Sequence, residues 1–394
     1  METAPLTADL ALMRELNQAL ILSLVRQEGQ ISRAEIAKRT NLSRSTVSNI
    51  INELIEADRI HEVQKGESRG GRRPILLELN YRSHCCVGVE LATTFLNLVI
   101  TDLKAEILYQ HREPFDITAG PEAAVEQVSQ LVRLALTEAQ IDAAKVSGVG
   151  IGIPGPITQT TGQTIAPPIM PGWNGVCLRD RFSETLPFPV YVDNDANLAA
   201  LAEYRWGIAQ PVRNMAYIYL GSTGIGAGLV LNGSIYRGEI GHSTIDEDGP
   251  LCSCGSYGCL EAMAGLPQIL RNAARLSKEH AGSLEQLVAA ARTNPALREL
   301  FVEAGTHLGV AVASLLNLYN PGLVVIGGPL AMAEDLLLET VRGTARKRAL
   351  PITLEHCDIV TGKLSIHAVA LGAAGQIIQS VFSPAALDTL VGQL

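Results

Sequence analysis

The chain has 394 residues, enough for two or three domains, and 47% of them are apolar, ample for a large core. A net charge of −9 speaks against nucleic-acid binding by the molecule as a whole, but the charge is unevenly spread. Residues 1–82 carry 12 Lys/Arg against 11 Asp/Glu, and the remainder carries 19 against 29, which suggests a polyanion-binding head on an acidic body. No apolar run reads as long enough to cross a bilayer, Ala19 to Val25 reads as part of a core helix, and no basic-then-apolar leader opens the chain. The expected location is the cytoplasm, without membrane association.

The first 80 residues alternate helical patterns with short polar breaks. Ala11 to Gln27 is amphipathic, with Leu12, Leu16, Leu20 and Leu24 on one face, and Gly29 ends it. Ser32 and Glu35 have capping-box spacing and open a short helix, Arg33 to Thr40, that stops at Asn41. Ser43 can cap a third helix running to about Ala57. Helix, tight turn, helix is the helix-turn-helix layout. In the third helix Val47, Ile50, Ile51, Leu54 and Ile55 must face the core. Ser45, Ser48, Asn49 and Asn52, with Thr46 beside them, form a second face of short hydrogen-bonding side chains. A merely solvated face usually carries Glu and Lys, whereas this one suits base edges and phosphates in a major groove. Arg44 at the helix start can reach a phosphate or a guanine.

Ile60 to Gln64 and Ile75 to Leu79 read as two arms of a hairpin. Its tip is basic and Gly-rich, with Lys65, Arg69, Gly70, Gly71, Arg72 and Arg73. Such a wing beside a helix-turn-helix fits a narrow, electronegative minor groove. Taken alone, the same stretch also reads as a flexible basic linker.

From Val87 the texture becomes α/β. Val87 to Leu91 and Leu96 to Thr101 form a hairpin pattern, Glu122 to Gln140 is helical, and Val146 to Ile153 is a buried strand ending in Pro154-Gly155-Pro156. Val190 to Val192 is a strand that runs into Asp193-Asn194-Asp195 and a helix, Leu198 to Trp206. Met215 to Leu220, the Gly-rich stretch 221–228, and a strand to Leu231 follow. Long helices fill 265–318, and Leu323 to Ile326 is a strand ending in Gly327-Gly328-Pro329. Two strand-turn-strand units, 88–100 and 216–231, hint at a duplicated, two-lobed layout.

Four of the seven cysteines, Cys85, Cys86, Cys177 and Cys357, are scattered and read as buried thiols. The other three crowd together as Cys252, Cys254 and Cys259, with His242 ten residues upstream. One imidazole and three thiolates make a closed tetrahedral zinc site with no open position, so a bound Zn²⁺ is expected to be structural. Comparable sites contribute on the order of 10 kcal/mol to local folding. Glu239 and Glu261 flank the cluster. They are either surface charges or carboxylates presented rigidly to ligand hydroxyls. Asn194 and Asp195 sit where a strand gives way to a helix. There they serve as caps, or Asp195 accepts a ligand hydroxyl or acts as a general base. The loop 221–228 can cradle a phosphate, a weak signal.

These motifs resemble the ROK family of sugar repressors and sugar kinases over nearly the whole chain. The resemblance is carried by Glu-Ile-Gly-His at 239–242, Cys-Ser-Cys-Gly-Ser-Tyr-Gly-Cys-Leu-Glu at 252–261, Asn194-Asp195, and Asn320-Pro321 before Gly327-Gly328. The Gly-Gly-Arg-Arg-Pro tip at 70–74 is similar to the repressor branch, which includes xylose-, glucose- and N-acetylglucosamine-type regulators. The resemblance implies an α/β, actin-like (ribonuclease-H-like) sugar-kinase body in two lobes behind a winged helix-turn-helix. It implies a monosaccharide in the cleft, held by Gly155, Asn194, Asp195, Glu239, His242 and Glu261. In family kinases the residue matching Asp195 is the catalytic base. Those kinases carry Asp-x-Gly-Gly-Thr in the first hairpin, where this chain has Glu90-Leu91-Ala92-Thr93-Thr94. Side chains at Ala92 and Thr93 obstruct close approach of phosphates. A regulator without turnover is therefore expected, ahead of a sugar kinase with an appended head or a regulator answering to a protein. Expected domains are a head at 1–81, a first lobe at 82–193 completed by a C-terminal helix at 376–394, and a second lobe at 194–375 with the metal site and an oligomer interface. Operator DNA, a monosaccharide and a homodimeric or homotetrameric partner are the expected partners.

Overall fold

The computed structural model describes residues 10–65, 74–158, 161–208, 212–276 and 283–382. The head contains α1 (Leu10–Glu28), β1 (Ile31–Ser32), α2 (Arg33–Thr40), α3 (Arg44–Glu56), β2 (Ile60–Lys65) and β3 (Ile75–Leu79). Ser32 caps α2 by accepting the Glu35 amide, but Glu35 turns its carboxylate to Arg39 instead of closing the expected box. Asn41 ends α2 at φ 58, and Ser43 caps α3 by accepting the Thr46 amide. The three strands pair in the order β1-β3-β2. β1 is too short to leave a periodic trace in the sequence.

The first lobe contains β4 (Cys85–Leu91), β5 (Phe95–Asp102), β6 (Ile107–Pro114), α4 (Pro121–Glu138), β7 (Val146–Ile153), α5 (Leu178–Thr185) and β8 (Val190–Asn194). The second contains α6 (Asp195–Trp206), β9 (Met215–Leu220), β10 (Ile225–Leu231), β11 (Ser234–Gly238), α7 (Leu260–Ala264), α8 (Leu266–Leu276), α9 (Leu284–Ala291), α10 (Pro295–Tyr319), β12 (Leu323–Gly327), α11 (Glu334–Arg348), α12 (Pro351–Leu354) and β13 (Asp358–Thr361). The last described helix is α13 (Ala368–Phe382). The sheets run β6-β5-β4-β7-β8 and β11-β10-β9-β12-β13. In each, two antiparallel hairpin pairings are followed by two parallel ones, so the lobes share one topology. The edge strands β6 and β11 alternate exposed with half-buried positions and carry little apolar signal.

Two helices form the layer between the sheets. α13 packs on β4 and β7, α6 packs on β9 and β10, and the two helices pack on each other. Glycines make this close approach possible. A Cβ at Gly88 would lie 1.9 Å from the Ala370 carbonyl oxygen, and one at Gly372 would lie 1.9 Å from that of Leu198. The head rests on the same layer. Ile21, Val25, Ile51 and Leu77 belong to one apolar cluster with Ala370, Ala374, Ile377 and Phe382 of α13.

One expectation from the sequence is corrected. By length and composition, Pro295–Tyr319 and Ser365–Phe382 are both apolar enough to cross a membrane. Both are core helices here, with 56% and 61% of the apolar stretch buried, and their hydrophobicity is used against other helices and the sheets.

Candidate functional site: an interlobe cavity, a thiol cluster and a recognition helix

The cavity forms where β8 hands over to α6. Asn194 caps α6, its Oδ1 accepting the amides of Ala196 (2.9 Å) and Asn197 (3.3 Å). Its Nδ2 donates to the Gly155 carbonyl (3.2 Å), tying the Pro-Gly-Pro turn to the helix start. Asp195 Oδ1 also accepts the Ala196 amide (2.7 Å). Burial pushes the Asp195 carboxyl up to about 8, helped by the nearby Glu90 and Glu239 carboxylates and opposed by the Ala196 amide. At neutral pH this carboxyl therefore carries its proton and can donate as well as accept.

Gly155, Asn194, Asp195, Glu239, His242 and Glu261 line one cavity together with Ala92, Thr93, Tyr219 and the loop 221–226. It is a cleft open to solvent. Glu261 is held from two sides: Oε2 accepts the Ile225 amide (3.1 Å) and Oε1 accepts the Ser253 hydroxyl (3.1 Å). A Cβ at Gly224 would come within 2.4 Å of Glu261 Oε2, so glycine there lets the carboxylate reach the loop. Burial pushes the Glu239 carboxyl up, with Glu261 adding to the rise and His242 opposing it.

Behind Glu239 and Glu261 the ligand atoms of His242, Cys252, Cys254 and Cys259 all lie within 4.8 Å of one another. Cys254 Sγ is 3.7 Å from Cys259 Sγ, and Cys252 Sγ is 3.6 Å from His242 Nδ1. A disulfide needs sulfurs about 2.05 Å apart. A tetrahedral ion with bonds of about 2.3 Å to sulfur and about 2.0 Å to nitrogen sets its ligand atoms roughly 3.5–3.8 Å apart, which those two separations match. The four residues fit a metal-ion site. Cys252 and Cys259 are buried and Cys254 is exposed.

Sequence reasoning missed two groups near the cavity. Glu90 is buried in the first lobe and accepts the Tyr219 hydroxyl of the second (2.9 Å) and the Asn97 amide (3.3 Å). Burial pushes its carboxyl up to about 7, against the pull of those two bonds. Asp193 pairs with Arg237 Nη2 (2.5 Å) and accepts from Asn197 Nδ2 (3.2 Å). Glu90 and Tyr219 lie 129 residues apart in sequence and Asp193 and Arg237 lie 44 apart, and no local pattern announces these two pairings.

On the head, Arg44, Ser45, Asn49 and Asn52 of α3 are exposed, whereas Thr46 and Ser48 are half-buried. Ser43 Oγ lies 2.8 Å from both Ser45 Oγ and Thr46 Oγ1. Arg33, another residue not singled out from sequence, crosses this face. It donates to Asn52 Oδ1 (2.9 Å), the Ser48 carbonyl (3.3 Å) and Glu62 (3.2 Å). Lys65 ends β2, opposite Ile75 of β3. The expected wing contacts Arg69, Gly71, Arg72 and Arg73 lie outside the described residues.

Together these features define a winged helix-turn-helix head on a two-lobed body of actin-like, sugar-kinase fold, with a polar cleft beside a His/Cys3 cluster that could hold a metal ion. The chain belongs to the ROK family, whose pattern covers residues 86–379, and residues 15–61 match a winged helix-turn-helix DNA-binding pattern. It is 29% identical to a xylose repressor of Caldicellulosiruptor bescii, over 94% of this chain and 98% of that protein. A crystal structure of a ROK family transcriptional regulator, described as a homologue of the Escherichia coli MLC protein, matches with TM-score 0.80 and 27% identity, over 97% of this chain and all of that one. A ROK family glucokinase from Streptomyces griseus, solved with glucose and AMPPNP, matches at TM-score 0.66 and 28% identity over 75% of this chain and all of that one.

Proposed function

We propose that this chain is a sugar-responsive transcriptional repressor of the cytoplasm, and that it performs no sugar phosphorylation. The head (1–81) reads operator DNA with Arg44, Ser45, Thr46, Ser48, Asn49 and Asn52 in the major groove. Lys65, Arg69, Gly71, Arg72 and Arg73 follow the adjacent minor groove. A monosaccharide lies between the first lobe (82–193) and the second (194–375), against Gly155, Asn194, Asp195, Glu239, His242 and Glu261.

The observation that carries this reading is the shared helical layer. The N-terminus of α6 lines the cavity, α6 packs on α13, and α13 completes the core of the DNA-binding head. A sugar that favours one lobe arrangement over another shifts the head through that layer, and only by its difference in affinity for the two. In a symmetric homodimer or homotetramer, the shift changes the spacing of two heads on a palindromic operator.

Zinc suits the His242, Cys252, Cys254 and Cys259 set, three soft thiolates and an imidazole with every position closed. When bound, it supplies a fixed cross-link for the loop that carries Glu239 and Glu261. With Nδ1 turned to the thiols, His242 keeps its other nitrogen for a sugar hydroxyl.

Ala92 and Thr93 stand where family kinases have glycines, and the Glu90 carboxylate is occupied by Tyr219 and Asn97. The kinase alternative rests on Asp195, which matches the catalytic base of family kinases and lines the cavity at the start of α6. A coupled ADP-release assay across pentoses, hexoses and amino sugars separates the two. Sugars that raise the melting temperature without ADP release support the repressor. Turnover that vanishes in Asp195→Asn would establish the kinase.

A further inference from the structure

A second cleft lies where the head meets the body, and three helices wall it. From α1 come Ser23, Arg26 and Gln27, at the i, i+3, i+4 spacing that puts them on one face. α6 contributes Arg205, and α13 contributes Gln379. The only charged residues along the described lining are the two arginines. They stand together although residues 83–394 carry 19 Lys/Arg against 29 Asp/Glu.

Arg26 is a half-buried cation whose charged neighbour is another cation. Its guanidinium stands over the Phe382 ring, 4.6 Å from the centroid, and among the described residues it has no ion pair. Burial, and then the Arg205 charge, hold its pKa below the usual range, with Tyr81 opposing them. No carboxylate is among the groups that act on it. The guanidinium keeps its proton all the same. A cation drawn half out of water beside a second cation is unfavourable as it stands. None of its unpartnered nitrogens is sealed from solvent, so a ligand in the cleft can reach them.

We propose that this cleft between head and body binds a phosphate group, free or carried on a small organic molecule. Two guanidiniums match the two charges of the anion, and each offers the planar fork of donors that suits phosphate oxygens. The Ser23 hydroxyl and the Gln27 and Gln379 amides add neutral donors. These donors belong to three helices and approach from different sides. A tetrahedral oxyanion meets such a set more fully than a planar carboxylate does. Bound there, phosphate replaces the repulsion between Arg26 of the head and Arg205 of the body by attraction to one shared charge. It thereby holds α1 on the layer of α6 and α13. The site does not depend on a sugar in the interlobe cavity.

The test is calorimetric titration of the full-length protein, without DNA, with inorganic phosphate and with glycerol 3-phosphate, each against sodium chloride of equal ionic strength. At least one of the two should fill one site per chain that chloride does not. Binding of both points to free phosphate as sufficient, and binding of the ester alone to an organic carrier. Arg26→Gln and Arg205→Gln should each weaken that site by about tenfold or more. Ser23→Glu sets a carboxylate on the exposed side of α1, one turn before Arg26, and should abolish phosphate binding by supplying the counter-charge from within. Glu261→Ala, which removes a residue of the interlobe cavity, should leave the phosphate site intact, so the two readings fail separately. No binding of either probe would overturn the proposal. So would binding that persists unchanged in both Arg26→Gln and Ser23→Glu, as contacts on the basic DNA-binding face would.

Discussion

Replacing Asn194 tests the corner on which the account turns. Its side chain caps α6 through two amides and ties Gly155 to the helix start. Losing an Asn cap to Ala costs about 1 kcal/mol. The bond to the Gly155 carbonyl adds about 1 kcal/mol more. Asp195 Oδ1 already shares the Ala196 amide, so part of the cap is duplicated and the total falls to roughly 1.5 kcal/mol. Asn194→Asp keeps an acceptor for the amides but loses the donor to Gly155 and sets a third carboxyl between Asp193 and Asp195. It should be at least as unstable as Asn194→Ala at neutral pH. Urea unfolding followed by tryptophan fluorescence is the assay, because Trp206 ends α6 and Trp173 is buried in the first lobe. Both variants should unfold at lower urea than wild type, and neither should be stabilised by a sugar that stabilises wild type. Asn194→Ala with a wild-type midpoint and full sugar stabilisation would refute the reasoning.

Three further outcomes are expected. Purified protein should contain about one zinc per chain by elemental analysis, and Cys259→Ser should lose both the metal and sugar binding; zinc-free protein with full sugar binding would contradict the site. Replacing Arg72 and Arg73 together by Ala should weaken operator binding and reduce its salt dependence by up to about two counterions; unchanged affinity and slope would remove the wing from the interface. The Asp195 carboxyl, raised from 3.8 to about 8, keeps a proton in the folded protein that the unfolded chain releases, so the folded state loses stability as pH rises between those values and no further above them. Between pH 5 and 8 wild type should lose stability more steeply than Asp195→Asn, by up to about 1.4 kcal/mol per pH unit, with Glu90 contributing a slope common to both. Identical slopes would show that Asp195 is ionised throughout.

Much of the head and the thiol site was legible in the sequence because its signals are local. Ser32, Asn41 and Ser43 mark helix ends within a residue, and Val47, Ile50, Ile51 and Leu54 mark the buried face of α3 by spacing alone. The strands β4, β7, β9 and β12 announce themselves as apolar runs because helices cover them. The edge strands β6 and β11 do not, since half of each faces water and its residues resemble a loop's. The pairings Glu90 with Tyr219, Asp193 with Arg237, and Arg33 with Asn52 depend on tertiary proximity and leave no periodic trace. Asn194 and Asp195 read equally as caps and as ligand contacts. Asn194 caps α6 while lining the cavity, so the two readings are compatible for that residue.

The central claim is that a sugar in the interlobe cavity governs DNA binding by the head. It is tested most directly by fluorescence anisotropy of the full-length protein on an operator selected from a random duplex pool, titrated with and without pentoses, hexoses and amino sugars at fixed salt. At least one sugar should change operator affinity by about tenfold. Glu261→Ala should bind the same operator as wild type does without sugar, and should lose the sugar response, because the head is untouched. Operator affinity that no sugar alters, or a response that survives intact in Glu261→Ala, would contradict the account.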